Sequence, residues 1–466
     1  MIETFAATPA SAESRTARPA AAGDLEMAAI LPRQAKTVRD TGLEPRLVSE
    51  LVVKTIHATG KTPLPMLAGK LRLSINVLRE VLNQLIAEQQ IEVAWCGESD
   101  IDVQYQLTGI GQRSAAEYLQ QCRYVGPAPV TLAAYCSLVE HQSLRQPHAE
   151  RIAAAELAAA LADDGLDPAL RDELGAALHS NRSLLLYGPS GSGKTTLARK
   201  LGRLLRGVVA VPYAILVERQ IIQFYDPLVH QAPAPLARHQ EDRRSCDMRW
   251  VLCQRPLVHV GAELSREMLD LRYDAGNGVY HAPPHFQANN GVLVVDDLGR
   301  QRVPAAELLN RWLGPLDNGT DQLRMQGGQT ETVPFDATLV FATNLAPDQV
   351  FDDAFMRRIG YKIPVGALSE AHYRALLRRQ CRLRRIEPDE TALDFLLKRL
   401  HPAAGRPLLA SYPHELLGRI ADFASFAGRE PRLTPASLEQ AWNSMFANCS
   451  ETAPAAPACA PILSGE

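Results

Sequence analysis

The sequence predicts a multidomain protein built on an α/β core with a doubly wound parallel sheet, preceded by a helix-and-hairpin module and followed by an all-helical segment. Three observations predict it. Between residues 181 and 365 the apolar runs SLLLY, GVLVV and ATLVFATN alternate with helix-compatible stretches, the texture of buried strands joined by crossover helices. Residues 44–122 read as helices followed by two strands around GESDID. Residues 366–447 keep a helical period, with breaks near Pro388, Pro402 and Pro431.

Composition agrees and removes other classes. The chain has 466 residues, 46% of them hydrophobic, enough for more than one buried core. No run of about 18 apolar residues is free of charge, so no membrane-spanning helix is expected. The start, MIETFAATPASAESRTARPA, lacks the basic and apolar regions of a secretory signal. Eight cysteines without a CxxC pair make neither a disulfide framework nor a zinc motif. With 49 Lys and Arg against 52 Asp and Glu, the net charge of −3 gives no global attraction to nucleic acid. The expectation is a soluble, cytoplasmic protein without membrane insertion.

The elements follow in order. Residues 1–42, rich in Ala, Pro, Ser and Thr, read as a disordered arm, and 448–466 as a tail of the same character. In the module 43–122, Leu47, Leu51, Val52 and Ile56 keep a helical period that Gly60 ends, and Pro65–Leu71 suit a second helix. Ser74 caps a third helix whose apolar face is Val77, Leu78, Val81, Leu82 and Leu85. IEVAWC and VQYQLT then pair across their loop. This is the pattern of a winged-helix domain. Residues 123–180 form a helical connector opened by YVGPAPV, 181–365 the core, and 366–447 a helical lid.

The chemistry concentrates after the first core strand. Gly188-Pro189-Ser190-Gly191-Ser192-Gly193-Lys194-Thr195-Thr196 satisfies GxxxxGK[ST] between the strand Leu184–Tyr187 and a helix-compatible run. Glycines let backbone N–H groups turn inward on a phosphate, and the helix N-terminus adds its positive dipole end. Lys194 brings a cation to the terminal phosphates and Thr195 a hard oxygen for Mg²⁺. Asp296 and Asp297 follow GVLVV at the carboxyl end of a strand, where ligands of α/β sheets sit. Asp296 would hold Mg²⁺ and Asp297 would orient or deprotonate the attacking water; a helix N-cap is the structural alternative. Asn344, at the tip of the strand Ala337–Ala342, could bind the γ-phosphate and the water, or simply end the strand. Arg357 and Arg358 suit charge developing on a transferring phosphoryl group, against a solvated surface pair. ATP and Mg²⁺ are the cofactors this pattern calls for.

The order of these parts resembles the AAA+ ATPases over about 181–447, an α/β P-loop NTPase core with a C-terminal lid. The stretches YVGPAPV, DDLGRQR, LLNRWLGPLD, VFATNLAP and AFMRRIGYKI are similar to a group of bacterial AAA+ proteins with an N-terminal winged helix and chaperone-like activity. The resemblance implies ATP hydrolysis, a ring homo-oligomer in which Arg357 or Arg358 completes a neighbour's site, and remodelling of a protein partner. Three departures stand out. Asp296-Asp297 replaces the usual Asp-Glu pair. The lid triplet reads His414-Glu415-Leu416 where Arg-Glu-Leu is common, leaving Arg419, His414 or no residue as the second sensor. Lys194 and Asp296 lie 102 residues apart, with added material around 226–290 and a hairpin expected from Arg249 to Val260.

Other signals are weaker. Residues 44–122 hold seven Lys and Arg against nine Asp and Glu, which places DNA binding below a protein-contact or spacer role. Arg72, Asn76, Arg79 and Asn83 are the residues that could still reach a groove. Arg374, Arg378, Arg382 and Arg385, with Arg379 and Arg384 beside them, read first as a solvated helix face. Cys246, Cys253, His230 and His239 match no zinc spacing. An ATP-dependent DNA-binding regulator and a slow nucleotide switch are the alternative functions.

Overall fold

The computed structural model describes residues 30–233, 245–326 and 328–446. Positions 1–29 of the expected arm, His239 and the tail 448–466 lie outside them. The chain divides into two compact units. Among the described residues, the first joins those up to Arg151 with those of 205–293 and Glu307–Thr338, and the second joins Ile152–Leu204 and Val294–Ala306 with those from Leu339 onward.

Along the chain, the module comprises α1 (Pro45–Thr59), β1 (Thr62–Pro63), α2 (Leu64–Leu71), α3 (Ile75–Ala87), β2 (Ile91–Cys96), β3 (Val103–Leu107) and α4 (Gly109–Gln121). Next come β4 (Val130–Thr131), α5 (Leu132–His141), α6 (Ala154–Ala160), α7 (Pro168–His179), β5 (Leu184–Tyr187) and α8 (Lys194–Leu204). Strands β6 (Val208–Pro212), β7 (Ala214–Val217), β8 (Gln220–Gln223), β9 (Trp250–Gln254), β10 (Leu257–Val260), β11 (Arg272–Asp274), β12 (Val279–His281) and β13 (Val292–Val295) follow. After them stand α9 (Ala305–Asn318), β14 (Thr320–Arg324), β15 (Thr330–Pro334), β16 (Thr338–Thr343), α10 (Asp353–Met356) and β17 (Tyr361–Pro364). The lid contains α11 (Glu370–Leu383), α12 (Glu390–Phe395), α13 (Tyr412–Phe426) and α14 (Pro435–Met445). No helix among the described residues is long and apolar enough to cross a membrane.

In the first unit, the apolar faces of α1, α2 and α3 meet in a core of Leu51, Val52, Ile56, Leu64, Leu67, Val77, Leu78, Val81 and Leu82. Each buried side chain of this kind stabilises the fold by about 1.5–3 kcal/mol. The Ser74 hydroxyl accepts from Val77 N at 3.3 Å, the cap the sequence predicts. Gly60 ends α1 at φ +75°, a conformation that favours glycine. Strands β2, β3 and β1 form an antiparallel sheet of order β1-β3-β2. Val38 is buried in this core and Leu31 in the next, so residues 30–42 belong to the folded unit and not to an arm.

A second core collects Val130, Tyr135, Val209, Ile215, Phe224, Trp250, Phe286, Leu323 and Val333. Here β11, β12, β8, β7 and β4 make one mixed sheet, so the connector is not purely helical. The expected Arg249–Val260 hairpin does not form. Instead β9 pairs with β6, while Pro256, just before β10, accepts from Val292 N at 2.8 Å. Arg255, between the two strands, separates them by donating to Arg206 O, Asn290 O and Gln142 O. Residues 205–293, which include the added material expected around 226–290, belong to the same unit as the N-terminal module. A buried trio also lies here: His285 Nε2 sits 2.7 Å from Asp321 Oδ2, and Arg311 Nη2 donates to the same oxygen at 2.9 Å.

In the second unit β13, β16, β5 and β17 lie side by side in that order, with β16 and β17 both parallel to β5. The earliest core strand is thus central, flanked by two later ones. This is the doubly wound order in which the carboxyl end of a central strand opens onto a crevice. The lid core joins Tyr373, Leu377, Leu393, Leu396, Leu416, Ile420, Leu438 and Trp442. Pro388 and Pro431 fall between helices as expected, whereas Pro402 does not interrupt one. A π turn over Leu396–Leu400 shifts the hydrogen-bond pattern just ahead of the N–H that Pro402 lacks.

Candidate active site

The second unit holds every sequence-selected site residue. The GPSGSGKT loop leaves the carboxyl end of β5, and α8 begins at Lys194. Its turn depends on glycine. Gly188, Gly191 and Gly193 stand at φ +142°, +82° and +100°, and a Cβ at Gly188 would lie 2.3 Å from Val365 O. Lys194 is 6% exposed. Its Nζ donates to Gly188 O at 2.9 Å and Pro189 O at 2.8 Å, and lies 3.4 Å from Ser192 Oγ. Burial pushes its ammonium below the ordinary lysine range, with the Asp296 and Asp297 carboxylates opposing. Lysine and both aspartates therefore share one electrostatic site. Thr195 and Thr196 lie in the first turn of α8, Thr195 half-buried and Thr196 exposed.

Asp296 and Asp297 follow β13. Asp296 is buried, and its Oδ1 accepts from Asp297 N at 3.0 Å. Asp297 takes a left-handed φ of +50°. Aspartate and asparagine visit that region more readily than longer side chains. Asn344, one residue past β16, donates from Nδ2 to Asp297 Oδ1 at 3.1 Å. The registration of the two strand ends is secured by Leu298 N to Ala342 O at 2.9 Å and by Thr343 Oγ to Leu298 O at 2.7 Å.

The two arginines differ. Arg358 donates from Nη1 to Ala354 O at 2.8 Å, and its own carbonyl accepts from Ser183 Oγ. Arg357 is exposed, and its guanidinium has no hydrogen bond or ion pair among the described residues. In the lid, Arg419 Nη1 pairs with Glu415 at 3.1 Å, while Arg384 Nη2 lies 3.3 Å from His414 Nδ1. Arg374 pairs with Glu370 and Asp394, and Arg378 with Glu390. Much of the arginine face of α11 is thus an ion-pair network within the lid.

Sequence reasoning missed the residues that close on the loop. Ser411 N donates to Gly191 O at 3.0 Å, and Ala410 Cβ would meet a Cβ at Gly193 at 3.6 Å. Gln301 Nε2 donates to Asp296 O at 3.1 Å. Ser411 and Ala410 sit in no recognisable motif, and Gln301 lies within DDLGRQR, a stretch that predicts no role for it; contact across the fold is what brings all three to the site. A cavity of about 240 Å³, lined in part by Ala162, His372, Leu376 and Arg379, opens beside the turn Ala162–Asp164. Asp164 pairs with Lys200 of α8 at 2.6 Å. The donor set suits a magnesium nucleotide: a loop whose positive-φ glycines can turn backbone N–H groups inward, a buried ammonium, a hydroxyl and a buried carboxylate. His230, by contrast, is engaged structurally, accepting from Asp226 N at 3.0 Å with Nε2 lying 3.1 Å from Gln287 O.

A family profile described as a domain of unknown function, DUF8689, matches residues 369–444, the lid. No curated protein sequence matches the chain. Among solved structures, NtrX from Brucella abortus in complex with ADP is similar at 16% identity and a TM-score of 0.37, over 61% of this chain and 56% of that one. The RuvB Holliday junction branch migration motor of Thermotoga maritima is similar at 15% identity and a TM-score of 0.34, over 60% of this chain and 69% of that one. The chain thus spans little more than half of the NtrX chain it resembles.

Proposed function

We propose that the protein is an AAA+ ATPase that couples ATP hydrolysis to remodelling of a protein partner as a ring homo-oligomer. The observation that carries the reading is the meeting of Lys194, Asp296, Asp297 and Asn344 at the carboxyl ends of β5, β13 and β16. Loop N–H groups from Gly188 to Thr196 would cradle the phosphates, and Lys194 would turn from its loop carbonyls to their oxygens. Thr195 and Asp296 would hold Mg²⁺, which when bound neutralises charge on the phosphate oxygens.

Hydrolysis proceeds by in-line attack. The water oxygen bonds to the γ-phosphorus while the bond to the bridging oxygen of ADP breaks, and Asp297 receives the water's proton. Asn344 orients Asp297 and the water. Arg357, exposed and unpaired among the described residues, is better placed than Arg358 to reach a neighbouring subunit's phosphate. Arg419, held by Glu415, would serve as the second sensor only by leaving that partner. The N-terminal module, read as a winged helix, would contact protein.

A slow nucleotide switch has one observation in its favour: Asn344 already engages Asp297 Oδ1. Turnover separates the readings. Wild-type protein should release phosphate from ATP continuously, and Asp297→Asn should bind ATP with unchanged affinity and lose turnover by at least a hundredfold. Hydrolysis unchanged by Asp297→Asn would remove the assigned base.

A further inference from the structure

We propose that the outer edge of β2 is a docking site for an extended, basic segment of a partner protein, which adds to the module's sheet as a further strand. The inference deepens the remodelling reading, because it gives the chemistry of the partner.

Four observations carry it. First, β2 lies at the end of its sheet and pairs only with β3 among the described residues. Its other side therefore presents unpaired backbone donors and acceptors, a template for strand addition. Second, the segment 91–108 holds Glu92, Glu98, Asp100 and Asp102 and no Lys, Arg or His. A partner here is selected for positive charge. Third, apolar surface accompanies that charge: Val93 and Trp95 are each 49% exposed and Ile101 is 44% exposed. The Trp95 ring lies over Gly97, where an added Cβ would come within 2.8 Å of it. The ring is thus a seated platform on which an aliphatic or cationic side chain can rest.

Fourth, the two arginines expected to reach a nucleic-acid groove, Arg72 and Arg79, already make contacts within the protein. Arg79 Nη2 donates to Asp100 O at 2.9 Å, tying α3 to the hairpin. Arg72 stands over the Tyr213 ring at 5.4 Å. A phosphate backbone approaching the hairpin would meet four carboxylates and no free cation on it. A register shift between Val93 and Trp95 marks a bulge. The bulge exposes the Trp95 side of the strand without setting a preference for its partner, while the uniform acidity disfavours a second copy, leaving a basic chain as the admitted guest.

The test uses the full-length protein without nucleotide, so that failure here and failure of the ATPase reading are separate results. The probes are the peptide Lys-Val-Lys-Val-Lys-Val-Lys, its Glu-Val counterpart and a 20-base-pair DNA duplex, each in about 0.15 M salt. Hydrogen exchange is followed at residues 91–107, and acrylamide quenching reports on Trp95, because Trp250, Trp312 and Trp442 are at most 6% exposed. The basic peptide should slow exchange at Val93–Cys96 at least tenfold and shield Trp95. Glu92→Lys and Glu98→Lys should each weaken that binding severalfold, and the acidic peptide should have no effect. Unchanged exchange at β2, equal binding of both peptides, or protection of α3 and the hairpin by the duplex would each overturn the proposal.

Discussion

Replacing Lys194 with methionine tests the centre of the site, and structure and physics assign it two effects of different size. The side chain keeps its length and loses its charge. In the fold, Nζ donates to Gly188 O and Pro189 O at 2.9 and 2.8 Å, yet burial depresses its pKa. A depressed lysine pKa means that the folded state disfavours the charge, so removing it relieves a cost while two hydrogen bonds are lost. The two effects oppose each other, and stability is expected to change by no more than about 1 kcal/mol, a shift of roughly 2–4 °C in Tm. Nucleotide binding has no such compensation. Two charge-assisted bonds to phosphate oxygens are worth about 1.5–3 kcal/mol each. The wild-type lysine exchanges two bonds to neutral loop carbonyls for two to an anion, and the added attraction of opposite charges leaves a net gain of about 3 kcal/mol, about a hundredfold in Kd. Calorimetric titration with ATP, beside differential scanning fluorimetry of the same preparations, measures both numbers. A Lys194→Met protein that melts like wild type and binds ATP within threefold of it would refute the phosphate role.

Two further outcomes are expected. Mixing Arg357→Ala subunits with Lys194→Met subunits should restore part of the hydrolysis that either lacks alone, and mixtures as inactive as their components would remove the inter-subunit role. At Asp321, burial raises the carboxyl pKa, but His285 and Arg311 outweigh it and hold it at about 2. Because the folded value lies below the ordinary 3.8, the stability it contributes is complete above pH about 4 and lost as pH falls toward 2. Asp321→Asn should flatten acid unfolding in that window. It should also cost about 3–5 kcal/mol at neutral pH, since His285 and Arg311 lose a buried partner. Circular dichroism against pH and denaturant reads both effects.

Local chemistry made much of the site legible in the sequence. GPSGSGKT is its own geometry, because three glycines and a following helix leave few ways to turn, and the acids after GVLVV fall where a buried parallel strand must end. Ser74 and Gly60 announced the borders of their helices through capping and a left-handed turn. The Arg249–Val260 region misled, because two adjacent apolar runs read as a hairpin whether or not they pair. Arg255, with three carbonyls to satisfy, sends the strands to different neighbours. Pro402 misled in a similar way, since a π turn is invisible to a 3.6-residue period.

Neighbouring residues alone write the GxxxxGK[ST] loop, the pair of strand-end carboxylates, the C-terminal helices and the acidic helix-and-hairpin module. Packing across the fold set which residues act on one another. It brought Asn344 to Asp297 across 47 residues of chain, set Ser411 against Gly191, left Arg357 exposed while Arg358 turned inward, and spent Arg72 and Arg79 on internal contacts. The physical reason is that hydrogen bonds and charge interactions act over a few ångströms. Periodicity fixes which face a residue occupies, whereas the packing of whole elements fixes what that face meets.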